Sequence, residues 1–120
     1  MRTHYKNISP YITKDGSEIR ELMHPDVQNC INQSLAEAVI PVGTTTCLHL
    51  HYNSEEIYHV THGEGRMRLG DAEFSIRQGD TIVILPGVRH NVSNTGDEAL
   101  YILCSCSPAY SHSDTELLEE

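Results

Sequence analysis

An all-β fold, an antiparallel sandwich or barrel, is what this 120-residue sequence predicts. Three observations carry the prediction. Short segments rich in β-branched and apolar residues alternate in polarity, turn residues recur about every 8–12 positions, and no segment has the length and period of a long helix.

Taken in order, residues 1–33 are the least patterned. Within Tyr5 to Ile19 a short edge strand is expected on each side of the Asp15-Gly16 turn signal, and His24-Pro25-Asp26 reads as a loop. From Ser34, SLAEAVI suits a strand, because Pro41 and Gly43 stop it too early for a helix. TTTCLHLHY is β-branched and alternating, and EEIYHVTHG is the next strand, ended by Gly63-Glu64-Gly65. RMRLGDAEFSI reads as a hairpin turning at Gly70-Asp71. After the Gln78-Gly79-Asp80 turn, TIVIL has the uniform hydrophobicity of a fully buried strand, broken by Pro86-Gly87. His90, Val92 and Asn94 share one face of the following strand, and ALYILCSC is the last, stopped at Pro108.

The length fits one domain: N-terminal strands and loops over 1–33, a barrel core over 34–107 and an acidic, solvated tail over 108–120. Seventeen acidic against eight basic residues repel a phosphate backbone, which argues against nucleic acid as partner. No apolar run approaches the ~20 residues of a membrane span, so no membrane is expected as partner. The N-terminal stretch lacks the apolar centre of a secretory signal, so a cytoplasmic, reducing setting is expected. The four cysteines (Cys30, Cys47, Cys104 and Cys106) then read as thiols.

Chemistry concentrates between Gly43 and Gly63. Residues two apart on a strand face the same way, so His49 and His51 project to one side, about 7 Å apart at ~3.3 Å per residue. The polar segment after His51 lets the chain reverse, and Glu56 then faces back toward the two imidazoles. Two neutral nitrogens and an anionic oxygen on one face suit a divalent transition metal. His90 lies downstream in its own turn-bounded segment.

These residues carry a resemblance. The pattern G-x5-H-x-H-x4-E-x6-G is met by Gly43, His49, His51, Glu56 and Gly63, and G-x5-P-x-G-x2-H-x3-N by Gly79, Gly87, His90 and Asn94. Leu85 stands at the proline position of the second pattern, with Pro86 beside it. The chain thus resembles a small single-domain cupin of the mannose-6-phosphate-isomerase-like group. The resemblance implies a double-stranded β-helix, or jelly roll, with His49, His51, Glu56 and His90 as ligands of one divalent metal: Fe, Mn, Ni, Co, Cu or Zn. It also implies a homodimer.

Other residues carry two readings each. Tyr58 follows Glu56 by two and faces the same cavity. It is either a catalytic acid, base or hydrogen-bond donor, or a filler bonded to a backbone carbonyl. Cys47 is expected on the face of His49, and Cys104 shares a face with Cys106. A thiol as fifth ligand would favour softer metals, whereas buried packing is commoner for free cysteine. His59 is expected to face outward, and His4, His24, His62 and His112 show no ligand pattern. Arg89 at the barrel mouth would hold a carboxylate substrate or be a solvated loop arginine.

The expected function is a metal-dependent enzyme acting on a small organic molecule, with O2-dependent oxidation of the dioxygenase kind first. Redox-neutral isomerisation, decarboxylation or lyase chemistry is the alternative, and a non-enzymatic metal- or ligand-binding module the third.

Overall fold

The computed structural model describes residues 1–118 and consists of two antiparallel sheets packed face to face. The first sheet holds β1 (Tyr11–Ile12), β2 (Glu18–Met23), β3 (Ser34–Ile40), β5 (Glu55–His62), β8 (Thr81–Ile84) and β10 (Leu100–Ser107), in the order β1-β2-β3-β10-β5-β8. The second holds β4 (His49–His51), β6 (Glu64–Leu69), β7 (Ala72–Arg77), β9 (His90–Asn94) and β11 (Thr115–Leu117), in the order β11-β4-β9-β6-β7. Successive core strands β3 to β10 cross between the sheets, apart from the β6–β7 hairpin within the second, the jelly-roll pattern expected from the sequence.

Alternation decides which side chains enter the space between the sheets. On β5, Glu56, Tyr58 and Val60 point in, while Glu55, Ile57 and His59 point out. On β10, Leu100, Ile102, Cys104 and Cys106 point in. One end of the interior is apolar, with Val60, Met67, Leu100 and Ile102 essentially inaccessible. Each such side chain contributes about 1.5–3 kcal/mol through burial. The polar groups are thereby confined to the other end.

Two turns fix that geometry. Gly63 has φ +89°, and a Cβ there would lie 2.8 Å from the Ala99 carbonyl oxygen, so only glycine permits β5 to pass into β6. Asn94 donates through Nδ2 to the carbonyls of Ile40 and Glu98, and its Oδ1 accepts from the Gly96 backbone. It thereby closes the turn before β10.

Three expectations are corrected. TIVIL is not fully buried: β8 is the edge of its sheet and Val83 faces outward, leaving Ile84 as its inaccessible residue. Cys47 does not share the face of His49. The chain before β4 is not regular strand, Thr46 and Leu48 turn inward, and the Cys47 side chain is exposed. The 108–120 segment is not a solvated tail throughout. After a 3-10 turn at His112–Asp114, β11 pairs along β4, with Thr115 opposite His51. The last two acidic residues of that segment, Glu119 and Glu120, lie outside the described residues. No helix among the described residues is long and apolar enough to cross a membrane.

Candidate metal centre

β4 and β9 pair in the register His49 opposite His90, which sets two imidazoles side by side with ring centroids 4.2 Å apart. His51, two residues along β4, brings a third ring to 5.2 Å from His49 and 5.5 Å from His90. The three rings can offer ligand nitrogens that all lie within 4.8 Å of one another. From the opposite sheet, β5 delivers Glu56. Its Oε1 lies 3.2 Å from His51 Nε2 and 3.5 Å from His90 Nε2. The structure therefore brings together all four residues singled out in the sequence.

Hydrogen bonds at the far side of each ring fix the tautomers. His49 Nδ1 lies 2.9 Å from the Cys47 carbonyl and His90 Nδ1 3.0 Å from the Val88 carbonyl. Carbonyl oxygens only accept, so both Nδ1 atoms carry the proton. His51 Nδ1 lies 2.9 Å from Thr115 Oγ1, whose own proton is donated to the Ser111 carbonyl at 2.8 Å. His51 Nδ1 is therefore a donor too. In the neutral rings, all three Nε2 atoms are bare and face the interior, the arrangement that metal-ligating histidines adopt.

Converging lone pairs beside a carboxylate repel unless a cation joins them. Glu56 Oε1 and His90 Nε2 are buried without a hydrogen-bond partner, although such atoms ordinarily have one. The donor set, three imidazoles and one carboxylate, thus fits a divalent transition metal. Burial and the neighbouring His90 lower the pKa of His49 to about 4, which keeps the ring neutral and its Nε2 bare. Burial raises the pKa of Glu56, but in the metal-free site His51 and His90 outweigh this when their rings are charged and Nε2 carries a proton to donate, and they hold the carboxyl down at about 2.

The rings open into a cavity of about 50 Å³. That is room for a few waters or a ligand of a few heavy atoms. Tyr58 lines it, its ring 6.0 Å from His90. Its ring packs in the buried apolar cluster, and its hydroxyl makes no hydrogen bond to the described residues. Burial raises its pKa, which keeps the phenol protonated. Cys104 and Cys106 also line the cavity, and Cys106 Sγ donates to Glu56 Oε2 at 3.3 Å. Burial raises both thiol pKa values. Arg89 does not line the cavity; it pairs with Asp71 beside the β6–β7 turn, so the carboxylate-holding reading does not apply. His59 faces outward and bonds Thr81 Oγ1.

Two contributors escaped the sequence. Asp15, seen there only as part of a turn, places Oδ2 at 3.8 Å from His49 Nε2. Its Oδ1 accepts from Thr13 Oγ1, Ser17 N and Ser17 Oγ, which locks the carboxylate in place. Thr115, in the segment read as a tail, orients His51. The Asp-Gly pair signalled the first turn, but nothing local indicated that the turn folds over the metal-facing rings.

Comparison with known proteins places these features among relatives. The profile of the Cupin domain family matches residues 36–106. The uncharacterized protein MJ1618 of Methanocaldococcus jannaschii is 53% identical over 119 residues, covering 99% of this chain and 95% of its own. The fold is similar to that of the polyketide cyclase RemF of Streptomyces resistomycificus, with TM-score 0.84 and 17% identity over 100% of this chain and 86% of that one. It is also similar to a predicted oxalate decarboxylase of Thermotoga maritima, with TM-score 0.79 and 24% identity over 90% of this chain and 99% of that one. At these identities the two structural likenesses speak to the fold alone.

Proposed function

The chain belongs to the cupin family, and on that premise we propose that it is a metal-dependent enzyme catalysing a redox-neutral step on a small organic molecule. The reaction class is isomerisation or lyase-type elimination, the redox-neutral kinds that need no carboxylate substrate. The observation that carries this reading is the convergence of three bare ring nitrogens and the unpartnered Glu56 Oε1 on one enclosed point. His49, His51, Glu56 and His90 would hold one divalent ion. Such an ion supplies a Lewis acid that polarises a carbonyl or lowers the pKa of a bound water.

The chain's own residues supply the rest. Tyr58 is a protonated phenol facing the cavity without a partner, placed to donate a hydrogen bond or a proton to an oxygen of the ligand. Asp15 Oδ2, held beside His49, is an acceptor. A donor and an acceptor facing one cavity are what moving a proton within a substrate requires. On that ground we place redox-neutral chemistry ahead of the oxidation expected first from the sequence. O2-dependent oxidation is the second reading, favoured by the ligand set, which suits iron or manganese equally.

The test is turnover of small hydroxy and oxo compounds by metal-loaded protein in the strict absence of O2, followed by NMR. Product formed anaerobically supports the redox-neutral reading. Product that forms only with O2 uptake overturns it in favour of the oxygenase.

A further inference from the structure

Among the described residues, the cavity beside the metal-facing rings is lined by no lysine or arginine. Its charged lining is three carboxylates, Asp15, Glu21 and Glu56, interleaved with Tyr11, Tyr58 and Tyr110. Two carboxylates flank the imidazole trio from different sides. Glu56 lies against His51 and His90, and Asp15 against His49. A third, Glu21 on β2, has Oε1 buried without a partner, while its Oε2 accepts from the Tyr11 hydroxyl at 2.8 Å.

Neither of the cations nearest in sequence lines the cavity. Lys14 Nζ donates to the carbonyls of His112 and Thr115. Arg20 alternates to the outer face of β2, where it donates to the Tyr5 hydroxyl and lies over that ring. A divalent cation beside Asp15 and Glu56 is already neutralised, and Glu21 adds no positive charge. An anionic ligand entering this space would meet carboxylate oxygens with no lysine or arginine among the lining residues to contact it, at short range and out of bulk water.

Resting on the proposed metal site, we propose that the β1–β2 hairpin is its specificity element. Asp15 and Glu21 select a neutral or cationic ligand that presents hydroxyl or amine donors, and they reject carboxylate and phosphate anions. Asp15 Oδ2 accepts a hydrogen bond from the ligand beside His49, and the β1–β2 hairpin is anchored over the site by the Cys47 N–H bond to the Asp15 carbonyl, 2.8 Å. This separates the chain's substrate class from that of any relative whose substrate is a small dicarboxylate.

The test uses Co2+-loaded full-length protein and the matched pair glycolate and glycolamide, which share shape and metal-binding atoms but differ in charge. Binding is read from the visible spectrum of the bound Co2+, after metal stoichiometry has been measured. The unmodified protein is expected to bind glycolamide at least as tightly as glycolate. Removing one nearby negative charge, in Asp15→Asn or independently in Glu21→Gln, is expected to strengthen glycolate about tenfold and leave glycolamide within about threefold. Glycolate bound more tightly than glycolamide by the unmodified protein, or unchanged glycolate affinity in both variants, overturns the inference while leaving the metal site intact. A protein that takes up no Co2+ overturns the metal reading itself, and the two failures are told apart by the stoichiometry.

Discussion

Thr115 Oγ1 accepts the Nδ1 proton of His51 at 2.9 Å, and it must accept because its own proton is committed to the Ser111 carbonyl. Two strands of the same sheet, β11 and β4, are thus joined by a bond that also decides which nitrogen of His51 faces the site. Thr115→Val keeps the shape and removes the acceptor. We expect it to weaken metal binding about 10–100-fold in a competitive chelator titration, as loss of an outer partner of a ligating histidine typically does. Thr115→Ser should restore most of the affinity. Equal affinity in all three proteins would show that the bond does not orient the ring.

The metal-free protein should lose stability on acidification earlier than an ordinary acidic protein. The folded chain holds His49 at about 4, against 6.5 for the free side chain. Between these values the unfolded chain binds the proton and the folded chain does not. The contribution is therefore complete above about pH 6.5 and disappears as pH falls through 4, amounting to about 3 kcal/mol at most. Glu56, held at about 2 against 4.5, extends the loss in the same direction at lower pH. Urea midpoints taken from pH 7 to pH 4 should decline steadily, and a midpoint that rises over this window contradicts the assignment.

Tyr58→Phe removes only the hydroxyl. If the phenol donates to the ligand, turnover on a substrate found by the anaerobic screen should fall about 10²–10³-fold, in the range for a lost acid or base. Metal content should not change, because the hydroxyl is not part of the proposed ligand set. Unchanged turnover would return Tyr58 to a packing role.

The homodimer expected from the family resemblance has a candidate face. Strand register places Leu35, Ser105, Ile57 and Val83 in one row across β3, β10, β5 and β8, on the outer side of the six-stranded sheet. The three apolar members are 39%, 42% and 50% exposed. We propose that a second copy covers this row. Sedimentation should then show a dimer that Ile57→Glu converts to monomer with metal content retained. A monomeric unmodified protein sinks the idea.

The inner strands were legible because alternation and turn residues act locally. Ser34–Ile40 and the hairpin about Gly70-Asp71 follow directly from their sequence. The four polar residues of the centre were legible from their spacing for the same reason, since strand period sets the face. What stayed hidden depends on contacts distant in sequence. The exposure of Val83 follows from β8 being at the edge of its sheet, which its apolar run does not reveal. Cys47 faces out because the chain leaves strand geometry just before His49. Asp15 and Thr115 reach the site through pairings of the two terminal segments, and no periodicity within those segments reports them.

The most direct test of the account is metal stoichiometry by elemental analysis, made on the protein and on His49→Ala, His51→Ala, Glu56→Ala and His90→Ala, each shown by circular dichroism to keep its β structure. The account predicts one divalent ion per unmodified chain and loss of most or all of it in each variant. Full occupancy retained across the four folded variants would contradict it.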